Sequence, residues 1–495
     1  LILQSAPQQN HAVTFSGSVG GTQYLVSANM LEQEGIVRGT DFRRYAGRVN
    51  LERNFSDRLR AGSNLSLTRI RHDISQVGNG QLAGNSRGLL AAMVYDPALP
   101  VRDANGDYIR RAVLGEFINN PVATADELVE RRNETRIVGS LFAELAITSD
   151  LRLSNRFAVN AWDAYNPFFA PSAIQQGYLT NGSANIWQGQ STDVLNETLI
   201  NFEGREIGPG DLGFMSGFTY QSNEFAFTNV GAADFLVEDP MWNSLQGGAQ
   251  RPTVSSGSSD WTLLSYLARA NYNLEDRYVL TVTGRYDGSS RFGENNKWAF
   301  FPSAALAWRA IDEDFMDGFD WLDDLKLRAS WGLTGNQAVD PYNSLAGMEV
   351  TESAIGSVNT ISFAPGSRSP NPDLKWETTE QVNLGLDVAF WNNRISASAD
   401  IYSATTEDLL LIVNMPWTSG FADQLRNIGS VQNRGAELSI TSLNVQRGGF
   451  AWSSTLNLAT NENEVVSIDD RDFIETGADR WGWAVGGAKI GRAHV

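Results

Sequence analysis

Apolar and polar residues alternate along almost the whole chain, and the alternating runs come in pairs joined by small polar turns. Val382, Leu384, Leu386, Val388 and Phe390 mark one face of such a run, and Asn383, Gly385 and Asp387 mark the other. After Trp391-Asn392-Asn393 the pattern resumes, with Ile395, Ala397, Ala399 and Ile401 set against Ser396, Ser398 and Asp400. Successive side chains of a β-strand point to opposite faces. A period of two therefore specifies a strand with one face in an apolar medium and one in a polar medium. The pattern does not break into blocks over 495 residues. The reading is one large all-β domain, an antiparallel transmembrane β-barrel with long extracellular loops. Such a wall suits transport better than catalysis.

The bulk properties fit that reading. Hydrophobic residues make up 42% of the chain and the mean hydropathy is −0.26, with no apolar run long enough for a membrane helix. A barrel strand needs about 9–11 residues with every second one apolar, a far weaker hydropathy signal. The formal charge of −19 argues against nucleic acid as a partner, because phosphate contacts need clustered cations. The absence of cysteine excludes disulfides, thiolate metal sites and cysteine nucleophiles. Trp162, Trp298, Trp308, Trp331, Trp376 and Trp391 fall where runs end, the places where aromatic girdles meet a bilayer.

About sixteen strands are expected, near 11–19, 22–34, 41–53, 58–71, 135–147, 150–163, 192–204, 212–222, 260–273, 277–288, 298–309, 324–334, 375–390, 394–406, 432–443 and 450–460. Short connections (54–57, 149–150, 273–276, 391–393 and 447–449) alternate with long ones (72–134, 164–191, 223–259, 335–374 and 407–431). Outer-membrane barrels have this asymmetry, with tight periplasmic turns and extended outer loops. Val382, Leu384, Leu386 and Val388 should then face lipid, and Asn383 and Asp387 the lumen. Residues 310–323 break the short-turn rule and should hold a helical turn, and Ser86 to Met93 reads as a short helix.

Signals for chemistry are sparse. His11 and His72 lack partners for a triad or a metal centre, so no catalytic or metal site is expected. Asp103-Ala104-Asn105-Gly106-Asp107 resembles the start of a calcium loop, but its twelfth position is Leu114 rather than a bidentate glutamate. A tight turn is the simpler reading. Gly78 to Gly84 lacks the spacing of a dinucleotide fingerprint, and the acidic run from Asp312 to Asp324 reads as a solvated turn. No cofactor is implied. The positive signals are aromatics and amides in long loops: Trp187, Trp242, Tyr342, Asn343, Trp417 and Phe421. Rings that stack on sugar faces, beside amides that read hydroxyls, suit a glycan; the same aromatics could instead pack the loops together.

Four stretches resemble the SusC/RagA family of TonB-dependent outer-membrane transporters of Bacteroidetes. They are His11 to Leu67, Asp324 to Tyr342 (DLKLRASWGLTGNQAVDPY), Asn371 to Leu411 (opening NPDLKWETTEQVNLGLDVAF) and Ser419 to Ile440 (SGFADQLRNIGSVQNRGAELSI). The resemblance implies a 22-stranded barrel with a plug in its lumen, of which this chain would supply about sixteen strands. The plug, the TonB-contacting segment and one strand are expected upstream, and about five strands downstream. Residues 1–488 are expected to form the partial barrel domain. Residues 489–495 are expected to be read-through of a sequencing adapter, so His494 carries no weight.

The resemblance further implies import of an oligosaccharide or a peptide. It implies a SusD-like surface lipoprotein as partner, TonB as energy source through the missing N-terminal region, and a place in the bacterial outer membrane among its lipids. The alternatives are a passive porin, an outer-membrane adhesin or a glycan-binding β-protein. An enzyme is disfavoured by the scarcity of histidine.

Overall fold

A computed structural model describes residues 2–74, 88–109, 111–113, 116–118, 120–250, 252–355, 358–468, 473–476 and 481–484. Residues 78–84 and 489–495 lie outside it. Sixteen strands form one antiparallel sheet in sequence order. They are β1 (Gln8–Val19), β2 (Thr22–Glu34), β3 (Thr40–Asn54), β4 (Leu59–Ile74), β5 (Val129–Ala146), β6 (Leu151–Ala170), β7 (Ser183–Ile207) and β8 (Gly210–Ala233), followed by β9 (Thr253–Leu274), β10 (Tyr278–Ser289), β11 (Trp298–Arg309), β12 (Leu322–Asn336), β13 (Glu377–Phe390), β14 (Ile395–Glu407), β15 (Ser430–Arg447) and β16 (Phe450–Ser467). Each expected strand has its counterpart.

The strand lengths differ from expectation in one informative way. Strand pairing continues through much of the expected loops 164–191 and 223–259, leaving connections of only 171–182 and 234–252. The 25 residues of β7 extend about 80 Å along the strand, whereas about 9–11 residues cross a bilayer. Beyond the bilayer both faces of a strand are wet, so the alternation fades while the hydrogen-bond ladder runs on.

The chain divides into two compact units: residues 1–145, 155–196 and 222–260, and residues 146–154, 197–221 and 261–495. In the first unit the ladder of β1 to β5 sets outward rows such as Phe15, Val26, Val49 and Leu65 side by side. Leu65 is 48% exposed and Phe15 66%. Large apolar side chains left open in register along one face fit a lipid solvent rather than water. Tyr45 and Phe55 bracket this band on β3 and its turn. They are ten positions apart, about 33 Å of strand, or about 25 Å of height at a tilt near 40°.

The second unit repeats the arrangement. Outward residues Leu280, Val282, Leu306, Leu384 and Leu386 are exposed. On β11, Trp298 stacks against Tyr286 at 4.9 Å and Trp308 against Tyr278 at 6.4 Å, again ten positions apart. Trp331 donates to Glu380 at 2.7 Å on the same face, and Trp391 is 53% exposed at the turn end. These four tryptophans match the girdle reading. Trp376 and Trp162 do not. Trp376 is 4% exposed in a loop core, and Trp162 shares the parity of Asn160 and Arg156, which faces inward.

The buried clusters lie in the loops and at the loop ends of strands. In the second unit Phe292, Phe301, Val339, Leu374, Trp376 and Leu425 pack together. Trp376 sits 4.7 Å from the Phe292 ring and donates through Nε1 to the Lys297 carbonyl at 3.0 Å. Asn427 binds both the N–H and the carbonyl of Lys375, at 2.8 and 2.7 Å. The stretch Asn371-Pro-Asp-Leu-Lys-Trp-Glu is therefore the keystone that ties three loops into one body.

Smaller features follow suit. Residues 310–312 and 314–316 form the expected helical turns, as 3₁₀ pieces. There, hydrogen bonds from Tyr278 Oη at 2.5 Å and Trp308 Nε1 at 3.0 Å hold the Glu313 carboxyl below its usual range. Gly88–Val94 is helical, as expected for that stretch. Asp103 turns its carboxylate onto the N–H groups of Asn105 and Asp107, at 2.8 and 3.0 Å, which makes the segment a tight turn. Among the described residues no acidic or histidine cluster could hold a metal.

Candidate functional site

The inward face of the first unit is as polar as its outward face is apolar. Near the turn end Arg60 bridges Glu52 at 2.9 Å and Glu144 at 3.1 Å, with its guanidinium 5.5 Å from the Phe142 ring. With Asn64 and Arg156 these residues line a cavity of about 570 Å³. Toward the loop end, Arg136 donates to Asn160 at 2.8 Å and Asn160 to Asp193 at 2.9 Å. Asn223 donates to both Asp193 and Ser191 at 2.9 Å. Four neighbouring strands thus contribute to one chain of guanidinium, amide and carboxylate.

Beside this chain the Trp162 and Trp187 rings lie 6.0 Å apart. Parity places both on the inward face: Trp162 two positions from Asn160, and Trp187 six from Asp193. Gly189 makes room for the Trp187 ring, because a Cβ there would lie 2.3 Å from it. Apolar ring surface next to a fixed polar network is the arrangement that binds amphipathic ligands, such as sugar faces or peptide side chains.

The six residues singled out from the sequence divide between the two units, Trp187 and Trp242 in the first and Tyr342, Asn343, Trp417 and Phe421 in the second. Trp187 lies in β7 rather than in a loop. Trp242, in the 3₁₀ segment Met241–Gly247, packs against a loop core that includes Phe169 and Phe235. Tyr342 and Asn343 occupy a turn in which Tyr342 has φ +68° and accepts from the Leu345 N–H at 2.8 Å. Trp417 is 84% exposed in the 3₁₀ turn Trp417–Ser419, with Phe421 just beyond. Asn160, Asp193 and Asn223 were not singled out. Strand parity with Trp162 and Trp187 was the signal that could have found them.

In the second unit Arg328 donates to Asp387 twice, at 2.9 and 3.0 Å, and to Asp400 at 3.1 Å on the inward face. This places Asp387 away from the exposed Leu384 and Leu386, as the alternation requires.

A strand wall with an outward face fitted to lipid, an inward face of charges and amides, and ordered loops at one end defines a β-barrel of the bacterial outer membrane. The chain belongs to the TonB dependent receptor-like, beta-barrel family, whose model matches residues 64–488. That family comprises receptors and transporters rather than enzymes.

TonB-dependent receptor P3 of Formosa agariphila is 33% identical over 474 residues, covering 94% of this chain and 47% of that protein. TonB-dependent receptor SusC of Bacteroides thetaiotaomicron is 28% identical over 510 residues, covering 97% and 49%. The solved structure of the RagAB peptide transporter aligns with a TM-score of 0.84 at 25% identity, covering 98% of this chain and 54% of that one. The siderophore receptor PiuA from Acinetobacter baumannii, at 12% identity and a TM-score of 0.56, shares the fold. The chain spans about half the length of the curated relatives it matches.

Proposed function

We propose that the whole protein is a SusC-like importer that carries an oligosaccharide or a peptide across the outer membrane. Residues 1–488 supply part of the barrel wall. A plug, the TonB-contacting segment and the remaining strands come from other parts of the full-length protein. A SusD-like surface lipoprotein delivers the ligand at the loop end, and TonB supplies the energy that an outer membrane without ATP or an ion gradient lacks. The observation that carries this reading is the inward Trp162–Trp187 pair beside the Arg136–Asn160–Asp193–Asn223 network. An unselective pore needs no aromatic surface held next to a fixed amide network, whereas recognition of a sugar or a peptide uses one.

The test is uptake of fluorescent oligosaccharides and peptides by cells carrying the full-length gene, with and without TonB. The expected result is saturable uptake of one ligand class that disappears without TonB. A Trp162→Ala/Trp187→Ala variant of normal abundance should take up about ten-fold less at limiting ligand, the effect of losing two aromatic contacts worth about 0.5–1.5 kcal/mol each. Uptake that is unsaturable and independent of TonB would instead establish a passive pore.

A further inference from the structure

On the outward face of the first unit, one step beyond the apolar band, the chemistry changes abruptly. The ladder sets Met30, Tyr45, Arg69 and Thr135 in one row, and Glu32, Arg43, Arg71 and Asn133 in the next. Arg43 and Arg71 are directly opposite each other, and Arg69 precedes Arg71 by two positions on the same face. Like charges directly opposite across a ladder are unfavourable. Arg43 lies 3.4 Å from Asp41 and Arg71 3.5 Å from Asp73, both long contacts, and their side chains remain 46% and 43% exposed. Asp73 is already engaged by Arg131 at 2.7 Å, and Glu32 accepts from Tyr45 at 2.8 Å. Asp41 and Asp73 thus sit one row beyond the arginines, and Glu32 lies in the arginines' own row, engaged by Tyr45.

The height of this patch is fixed independently. Tyr45 marks the upper end of the apolar band, so Arg69 lies at the girdle, with Arg43 and Arg71 one residue pair above. That is the level of lipid headgroup phosphates, which sit just outside the hydrocarbon. Taken by itself, the second unit ends its outward apolar band on β9 to β11 with Tyr266, Tyr286 and Trp298. The cluster is therefore a local feature in a chain whose net charge is −19.

We propose that Arg43, Arg69 and Arg71 form a binding site for the phosphate of an anionic lipid in the outer leaflet. Guanidinium groups suit phosphate oxygens because their N–H forks donate in pairs. A phosphate seated between Arg43 and Arg71 removes their mutual repulsion, and the acyl chains lie along the exposed Leu65 and Leu67 of β4.

The experiment uses the full-length protein extracted from outer membranes into a neutral detergent. Bound lipid is counted by native mass spectrometry during titration with phosphatidic acid, phosphatidylcholine or inorganic phosphate. The expected result is saturable retention of phosphatidic acid, little retention of phosphatidylcholine and no competition by inorganic phosphate at equal concentration. Arg43→Gln/Arg71→Gln should weaken retention about ten-fold. Arg43→Lys/Arg71→Lys, which keeps the charge, should fall in between, and Arg53→Gln at the turn end should match the parent. Equal retention by the parent and the Gln variant would overturn the proposal, as would an equal loss in Arg53→Gln. Free phosphate that competes as well as the lipid would overturn the lipid as the source of the phosphate. Should the Gln variant fail to fold, equal retention of phosphatidic acid and phosphatidylcholine by the parent would overturn it.

Discussion

Trp376→Ala should loosen the loops without loosening the wall. Its ring is 4% exposed, rests on Phe292 and Phe301 at 4.7 and 5.4 Å, and donates one hydrogen bond to the Lys297 carbonyl. Truncating a buried aromatic of this kind costs about 3–5 kcal/mol. The loss falls on a cluster built from segments 290–297, 337–376 and 408–429 together with Phe301 at the loop end of β11, whereas the backbone ladders of β11 to β15 are kept. At about 1.4 kcal/mol per ten-fold, amides held by that cluster should exchange between about 100-fold and a few thousand-fold faster. The amides of Gly293, Leu374 and Ile428 report it, since all three bond to carbonyls within these loops. Hydrogen exchange read by mass spectrometry on protein in detergent makes the measurement. Trp376→Phe keeps the stacking and loses the hydrogen bond, so it should cost about 0.5–1.5 kcal/mol. Equal acceleration in the wall strands, or none in the loops, would refute the separation between loop core and wall.

Three further outcomes follow from local geometry. Glu313 has a folded pKa below its unfolded value, so its contribution is present above the usual carboxylate range and lost as pH falls through the folded pKa. Acid unfolding of turn 310–321, followed by Trp308 fluorescence, should lose that pH dependence in Glu313→Gln. Burial and a hydrogen bond to Asp126 push the Tyr108 hydroxyl up to about 12. Its contribution is therefore complete below pH 10 and lost as pH rises through about 12, and the ultraviolet titration difference between parent and Tyr108→Phe should show this late ionisation. Arg328→Ala leaves Asp387 and Asp400 facing each other. It should lower the thermal midpoint by more than the double variant Arg328→Ala/Asp387→Asn, because the partly exposed site costs about 1–3 kcal/mol when a carboxylate loses its donor.

The fold was legible wherever one strand face meets lipid. The run from Val382 to Phe390 and its partner from Ile395 to Ile401 needed nothing beyond alternation and a polar turn. Trp391, Asn392 and Asn393 all adopt left-handed φ values between 56° and 58°, which two asparagines tolerate readily. The outer half of β7 and β8 was not legible, because strands that are wet on both faces carry no period. Trp376 was misplaced for a related reason: a tryptophan at a strand end looks the same whether it meets a bilayer or a loop core. The network of Asn160, Asp193 and Asn223 joins residues from three strands, and single-strand periodicity carries no information on which strands share a level.

The prolonged ladders of β7 and β8 separate two kinds of constraint along one strand. The inner stretch must satisfy lipid on one side and the lumen on the other, so nearly every position there is fixed in character. The outer stretch must satisfy only backbone pairing, which almost any side chain permits. Trp187 stands in that permissive stretch. A substitution at Trp187 therefore meets the demands of strand pairing and of its inward neighbours, and leaves untouched the stretch that has to suit the membrane.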